Sequence, residues 1–131
     1  MAVKSSIIGE FIVTINDDKS VEVVRIYKST MKALTEIWEG NGMGDVPKNW
    51  NTQDLGRKVL AQFCGGAKEG TVGEYSIDRE GNNRINVIRK YTDVTEGLRQ
   101  CAEAVKIPYE NDWDALNFSE KLVNIFETNK N

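Results

Sequence analysis

A chain without histidine has few routes to general acid–base chemistry, and this one has no histidine. Proton transfer would fall to carboxylates, lysines or tyrosines, and no pair of carboxylates stands out. Cys64 and Cys101 are isolated from one another and make no metal-ligand spacing. They read as free thiols. Cys101 sits on an apolar helix face, where cysteine acts as a small hydrophobe. In "FCGG", residues 63–66, a helix C-terminus would face the thiol and disfavour its anion. "GNGMGD", residues 40–45, has the glycines of a phosphate loop, but they follow a helix instead of opening one. The stretch reads as a helix stop and a loop. "YENDWD", residues 109–114, gathers Glu110, Asp112 and Asp114 but lacks the glycine turn and late glutamate of a calcium loop. It reads as a solvated acidic loop. Nothing here calls for a catalytic residue, a metal or a cofactor.

Two phrases are more informative. "VEVVRIY" (21–27) and "INVIRKY" (85–91) each place an aliphatic residue, an arginine and a tyrosine on alternate positions. Arginine and tyrosine on a sheet can stack bases and neutralise phosphate. Arg25, Tyr27, Lys28, Arg89, Lys90 and Tyr91 are therefore candidate nucleic-acid contacts. The competing reading is architectural: each arginine opposes an aromatic ring on the neighbouring strand, and each tyrosine covers a strand glycine.

The phrases belong to a longer correspondence. Residues 9–39 align without a gap on residues 73–103, bringing Gly9 and Glu10 onto Gly73 and Glu74, Phe11 onto Tyr75, Arg25 onto Arg89 and Leu34 onto Leu98. Farther on, Trp50 meets Trp113, Lys58 meets Lys121 and Phe63 meets Phe126. A tandem repeat of about 64 residues accounts for this.

The alternation of residues 7–15 and 21–27, around the turn "NDDKS", marks a hairpin. Ser29 caps a helix with stripe Met31, Leu34, Ile37 and Trp38, and Gly40 stops it. Asn51 and Asp54 open a second helix with stripe Leu55, Val59, Leu60 and Phe63. Its basic face, Arg57 and Lys58 with Gln62, is ordinary for a solvated helix. In the second unit, strands near 72–79 and 84–91 precede a helix capped by Asp93 with stripe Val94, Leu98, Cys101, Ala102 and Val105. Asn117 and Glu120 cap the last helix, with stripe Phe118, Leu122, Ile125 and Phe126. Trp50 and Trp113 would lock the approach to the second helix of each unit.

The expected fold is therefore α+β. A tandem ββαα repeat forms a four-stranded antiparallel sheet with helices on one face and an internal pseudo-two-fold. Residues 1–131 would be a single domain of two intertwined or abutting repeats, about 1–66 and 67–131. On the face away from the helices, the second unit offers polar residues, with Ile88 as an exception. The first offers Ile12 opposite Val24 with Ile26 beyond, and such an apolar cluster marks an interaction surface.

Composition narrows the function. The net charge is −3, and residues 67–131 carry the whole excess, which argues against a phosphate-tracking surface over the whole molecule. No apolar run suits a bilayer, and the first residues do not resemble a secretory signal, so a cytoplasmic location is expected. The expected role is a non-catalytic interaction protein that forms a homodimer or binds a protein partner through Ile12, Val24, Ile26 and Ile88. Nucleic-acid binding is the alternative, and enzyme activity ranks third.

Overall fold

The computed structural model describes residues 4–81, 84–109 and 114–128. In order these form β1 (Lys4–Ile8), β2 (Phe11–Ile15), β3 (Val21–Ile26), α1 (Thr30–Gly40), α2 (Thr52–Phe63), β4 (Glu69–Val72), β5 (Tyr75–Glu80), β6 (Arg84–Lys90), α3 (Val94–Ala104) and α4 (Ala115–Thr128). The fold is α+β with antiparallel strand pairing. Among the described residues there are six strands, not the expected four.

Two glycines cause the difference. The run 7–15 alternates well enough to read as one strand, but Gly9 has φ 61 and the chain reverses there. Ile8 pairs with Phe11, so Gly9 and Glu10 make a two-residue hairpin turn. A positive φ at its first residue only is the type II′ arrangement, which suits the twist of antiparallel strands and favours glycine. Gly73 repeats this at φ 58, with Val72 paired to Tyr75. The expectation that Tyr27 and Tyr91 cover strand glycines is corrected: Gly9 and Gly73 are turn residues, and both tyrosines lie just past the ends of β3 and β6. The other pairings stand as the alternation implies, with Phe11 opposite Arg25 and Val13 opposite Val23, and Tyr75 opposite Arg89 and Ile77 opposite Val87.

The chain divides into two compact units, one of Met1–Ile26 with Lys90–Asn131 and the other of Tyr27–Arg89. These boundaries fall at 26/27 and 89/90 and differ from the sequence units 1–66 and 67–131. In the first compact unit β1, β2 and β3 share a core with α3 and α4, built from Ile8, Phe11, Val13, Val23, Leu98, Cys101, Phe118 and Leu122. In the second, α1 and α2 share a core with β4, β5 and β6, built from Leu34, Ile37, Leu55, Val59, Ile77 and Val87. The helices that follow a strand set along the chain therefore do not share its core. Each fully buried aliphatic or aromatic side chain contributes about 1.5–3 kcal/mol to these cores.

Within each unit one face of the strands is buried. Val13 and Val23 are inaccessible to solvent, as are Leu98 and Leu122 from the helices. The helices start where their caps place them. The Ser29 side chain accepts from the amide of Lys32, Asn51 and Asp54 form a reciprocal capping box, and Asp93 accepts from the amide of Glu96. Such caps contribute about 1 kcal/mol each. The last helix is a correction: Asp114, not Asn117, caps it, accepting from the Asn117 amide at 2.7 Å. Two helix glycines mark close packing. A methyl group at Gly97 would stand 2.9 Å from Cγ of Tyr91, and one at Gly56 would overlap Ile85.

Candidate interaction face

The arginines lie on the buried side of their strands. Arg25 Nε donates to Glu10 at 2.9 Å, and its guanidinium carbon lies 5.0 Å from the centre of the Phe11 ring. In the other unit Arg89 Nε donates to Glu74 at 2.7 Å and the guanidinium lies 5.0 Å from the Tyr75 ring. The type II′ turn is what brings the glutamate round to the arginine. The recurring Gly-Glu and the arginine are thus parts of one contact, in which an ion pair, an aromatic face and a turn hold the end of each hairpin; the tyrosine two residues after each arginine belongs to the other compact unit.

The tyrosines are buried as well. Tyr91 stacks on Phe11 at 6.2 Å and donates to Gln100 at 2.6 Å. Tyr27 stacks on Tyr75 at 6.2 Å, and both hydroxyls donate to the same Glu36 oxygen, at 2.8 and 2.9 Å. Arg89 lies 3.9 Å from that oxygen. Burial, followed by the bond to Glu36, raises the Tyr27 hydroxyl well above the usual phenol range. The same causes push Tyr75 up to about 12. Where Glu36 serves one unit, Gln100 serves the other, and Phe11 stands where the second unit has Tyr75. Sequence reading missed Glu36. Its place two turns into an amphipathic helix looks solvent-facing until Tyr27 and Tyr75 are seen to converge on it.

Of the candidate nucleic-acid contacts, Tyr27 and Tyr91 are therefore buried, and Arg25 and Arg89 are held by carboxylates. Lys28, past the end of β3, and Lys90, the last residue of β6, are exposed.

The opposite side of β1–β3 carries the apolar cluster. Ile7 pairs with Ile12, and Ile12 pairs with Val24, so three aliphatic side chains form one row across three strands. Ile26 lies two residues along β3. Ile7 is 64% exposed and Ile26 49%, whereas Ile12 and Val24 are half-buried by their neighbours. Ile7 is an addition to the expected set. It was hidden because residues 7–15 read as one strand, which placed no third strand beside Ile12. The next row is polar: Ser5 meets Thr14 at 3.2 Å, and Thr14 pairs with Glu22.

In the unit of β4–β6 the corresponding face is mostly polar. Ile88 is 39% exposed there. It lines a trough of about 410 Å³ together with Glu69, Thr71, Ser76, Asp78 and Asn86. Glu69 stands opposite Asp78 across the strand pair, a like-charge placement that costs stability.

The remaining motifs take structural places. Cys101 is buried, and burial pushes its thiol up to about 12. Cys64 ends α2, with its sulfur tucked over Gly70. Gly40 is the last residue of α1, and Gly42 and Gly44 form an exposed loop at φ 79 and 82. Trp50, just before α2, packs edge-on against Trp38 of α1 at 5.4 Å. Arg57 pairs with Asp54, and Lys58 lies over Trp50. Glu110, Asp112 and Trp113 lie outside the described residues. Among the described residues no three acidic or cysteine side chains gather to hold a metal ion, and no helix is long and apolar enough to cross a membrane.

Comparison with protein-family models, with curated proteins and with solved structures found no match for the chain.

Proposed function

We propose that this chain is a non-catalytic interaction protein, built from a duplicated unit, that self-associates or docks a macromolecular partner through the open face of β1–β3. The carrying observation is the row Ile7–Ile12–Val24, extended by Ile26, on strands whose other face is filled by α3 and α4. Clustered aliphatic side chains on an otherwise polar face mark interaction sites more often than scattered ones do. Ile88, on the open face of β4–β6, is a separate candidate contact.

The duplication is supported by the element order, three strands then two helices, given twice. It is supported also by the Glu10–Arg25–Phe11 and Glu74–Arg89–Tyr75 contacts at matching positions. The burial of Tyr27 and Tyr91 and the ion pairs on Arg25 and Arg89 favour this reading over nucleic-acid binding.

Val24→Lys tests it, because the substitution puts a charge in the middle of the row while leaving the buried face intact. Sedimentation and light scattering should show the wild type in a complex, with itself or with copurifying partners, and Val24→Lys in a smaller or weaker one, with thermal unfolding unchanged. A wild type that neither self-associates nor binds any partner more strongly than the variant does would end the reading. Salt-dependent binding of single-stranded nucleic acid, lost in the Arg25→Ala/Arg89→Ala double variant, would favour the alternative.

A further inference from the structure

The margin of β1 raises a question that the open face does not. Among the described residues β1 pairs with β2 alone. Glu10 accepts from the amide of Ile26, and Asn16 donates to Ser20, so the even-numbered residues of β2 bond toward β3. The odd-numbered residues then bond toward β1, engaging Lys4, Ser6 and Ile8 through the register Lys4–Ile15, Ser6–Val13 and Ile8–Phe11. The amide and carbonyl groups of Ser5 and Ile7 point outward, with no backbone partner among the described residues. A bare strand edge is a template for another strand, and proteins blunt it with charge, proline, glycine or brevity.

The two margins of this protein differ in that respect. β4 has only four residues, presents Glu69 and has Gly70 three places before its turn glycine, Gly73. β1 is "KSSII": its one charge, Lys4, is at the far end from the turn, Ser6 stands at that place, and Ile7 is the most exposed large apolar side chain among the described residues. Ser6 carries a second signal. Its hydroxyl is buried on the core side of β1, and its oxygen has no hydrogen-bond partner among the described residues. A buried hydroxyl left unpaired costs about 1–3 kcal/mol.

We infer that β1 pairs antiparallel with β1 of a second copy, centred on Ser6. In that register Ser5 of each copy opposes Ile7 of the other, and the outward groups of both residues are satisfied. Each such pair exchanges two bonds, so about four main-chain hydrogen bonds form. Ser6 faces its own mate in the close, non-hydrogen-bonded position, where two hydroxyls can bond to each other. The helices fit as well. α4 packs chiefly on β1 and β2, about one strand spacing from the margin. Its mate then lies about two spacings away, ~9–10 Å, within the range at which helices pack. The contact is isologous and closes on itself. It uses the strand edge, not the open face, so it stands or falls separately from the reading above.

Ser5→Pro is the decisive variant. Proline removes an outward amide that no internal bond uses, and an edge strand tolerates it there. Sedimentation velocity over a wide concentration range should show a wild-type monomer–dimer equilibrium. Ser5→Pro should weaken it about tenfold or more while the diluted monomer keeps its melting temperature apart from the small loss of the exposed Ser5–Thr14 contact. Ser6→Ala should weaken the dimer while leaving the isolated monomer no less stable, since the monomer loses only an unpaired hydroxyl. Amide exchange at Ser5 and Ile7 should slow as concentration rises, and Val24→Lys should still dimerise. A wild type that stays monomeric at every concentration, or a Ser5→Pro variant that dimerises as well as wild type, overturns the inference. So does dimerisation abolished by Val24→Lys but not by Ser5→Pro, which would place self-association on the open face.

Discussion

Arg25 reaches back across its hairpin to hold Glu10, Nε to Oε1 at 2.9 Å, with 12% of the arginine side chain and 23% of the glutamate side chain left exposed. Partners this sheltered should behave unlike a surface pair, whose contribution is about 0–1 kcal/mol. Glu10→Gln should cost about 1–3 kcal/mol, because it leaves a sheltered guanidinium without its counter-charge. Adding Arg25→Met should recover part of that loss. A double-mutant cycle in urea checks this, with an expected coupling of about 1 kcal/mol; a coupling near zero would reduce the contact to surface decoration.

Tyr27 and Tyr75 both donate to Glu36, and both hydroxyls hold their protons above the ordinary value of 10.0. For Tyr75 the folded value is about 12. Between those values the unfolded chain has lost the proton and the folded chain keeps it. The contribution is therefore fully present below pH 10 and shrinks as pH rises toward 12. Chemical denaturation at a series of alkaline pH values should show stability falling in that window. Tyr75→Phe should flatten the fall, and Tyr27→Phe should flatten it further.

Gly97 lies in a helix, where alanine ordinarily gains about 1 kcal/mol. Here the methyl group would press on Cγ of Tyr91 at 2.9 Å and on Cβ of Val23 at 3.1 Å, neither of which is a flexible chain end. Gly97→Ala should therefore destabilise by about 1–3 kcal/mol. Gly56→Ala meets the mobile tip of Ile85 and should cost less. Gly40→Ala, with nothing within 4 Å, should be neutral or stabilise by up to about 1 kcal/mol. Urea midpoints of the three variants give the order directly.

Cys101 is fully buried and its thiol is pushed up to about 12. It should resist alkylation in the folded protein and react only on unfolding, whereas partly exposed Cys64 should react first. Mass spectrometry of trapped thiols against urea concentration would show this. Native labelling of Cys101 at the rate of Cys64 would contradict its burial.

Much of this was legible in residue order. The pairing of Val13 with Val23 and of Ile77 with Val87 follows from alternation about a short turn, and Asn51 with Asp54 is a capping signature that needs only near neighbours. Ile7 was not legible, because a tight turn at Gly9 can hide inside a run that keeps its alternation. Glu36 was not legible either, because its value comes from two tyrosines that lie far from it along the chain.

The sequence by itself settled the local matters: where helices begin, which side of each strand is apolar, and which arginine faces which ring. These depend on contacts within a turn or a hairpin. Only the tertiary structure decided that α3 and α4 fill the core of β1–β3 while α1 and α2 fill that of β4–β6. Both helix pairs present similar apolar stripes, so periodicity cannot choose between them. The pairing is made by contacts distant along the chain, such as Gly97 of α3 against Val23 and Gly56 of α2 against Ile85, which local residue order does not print.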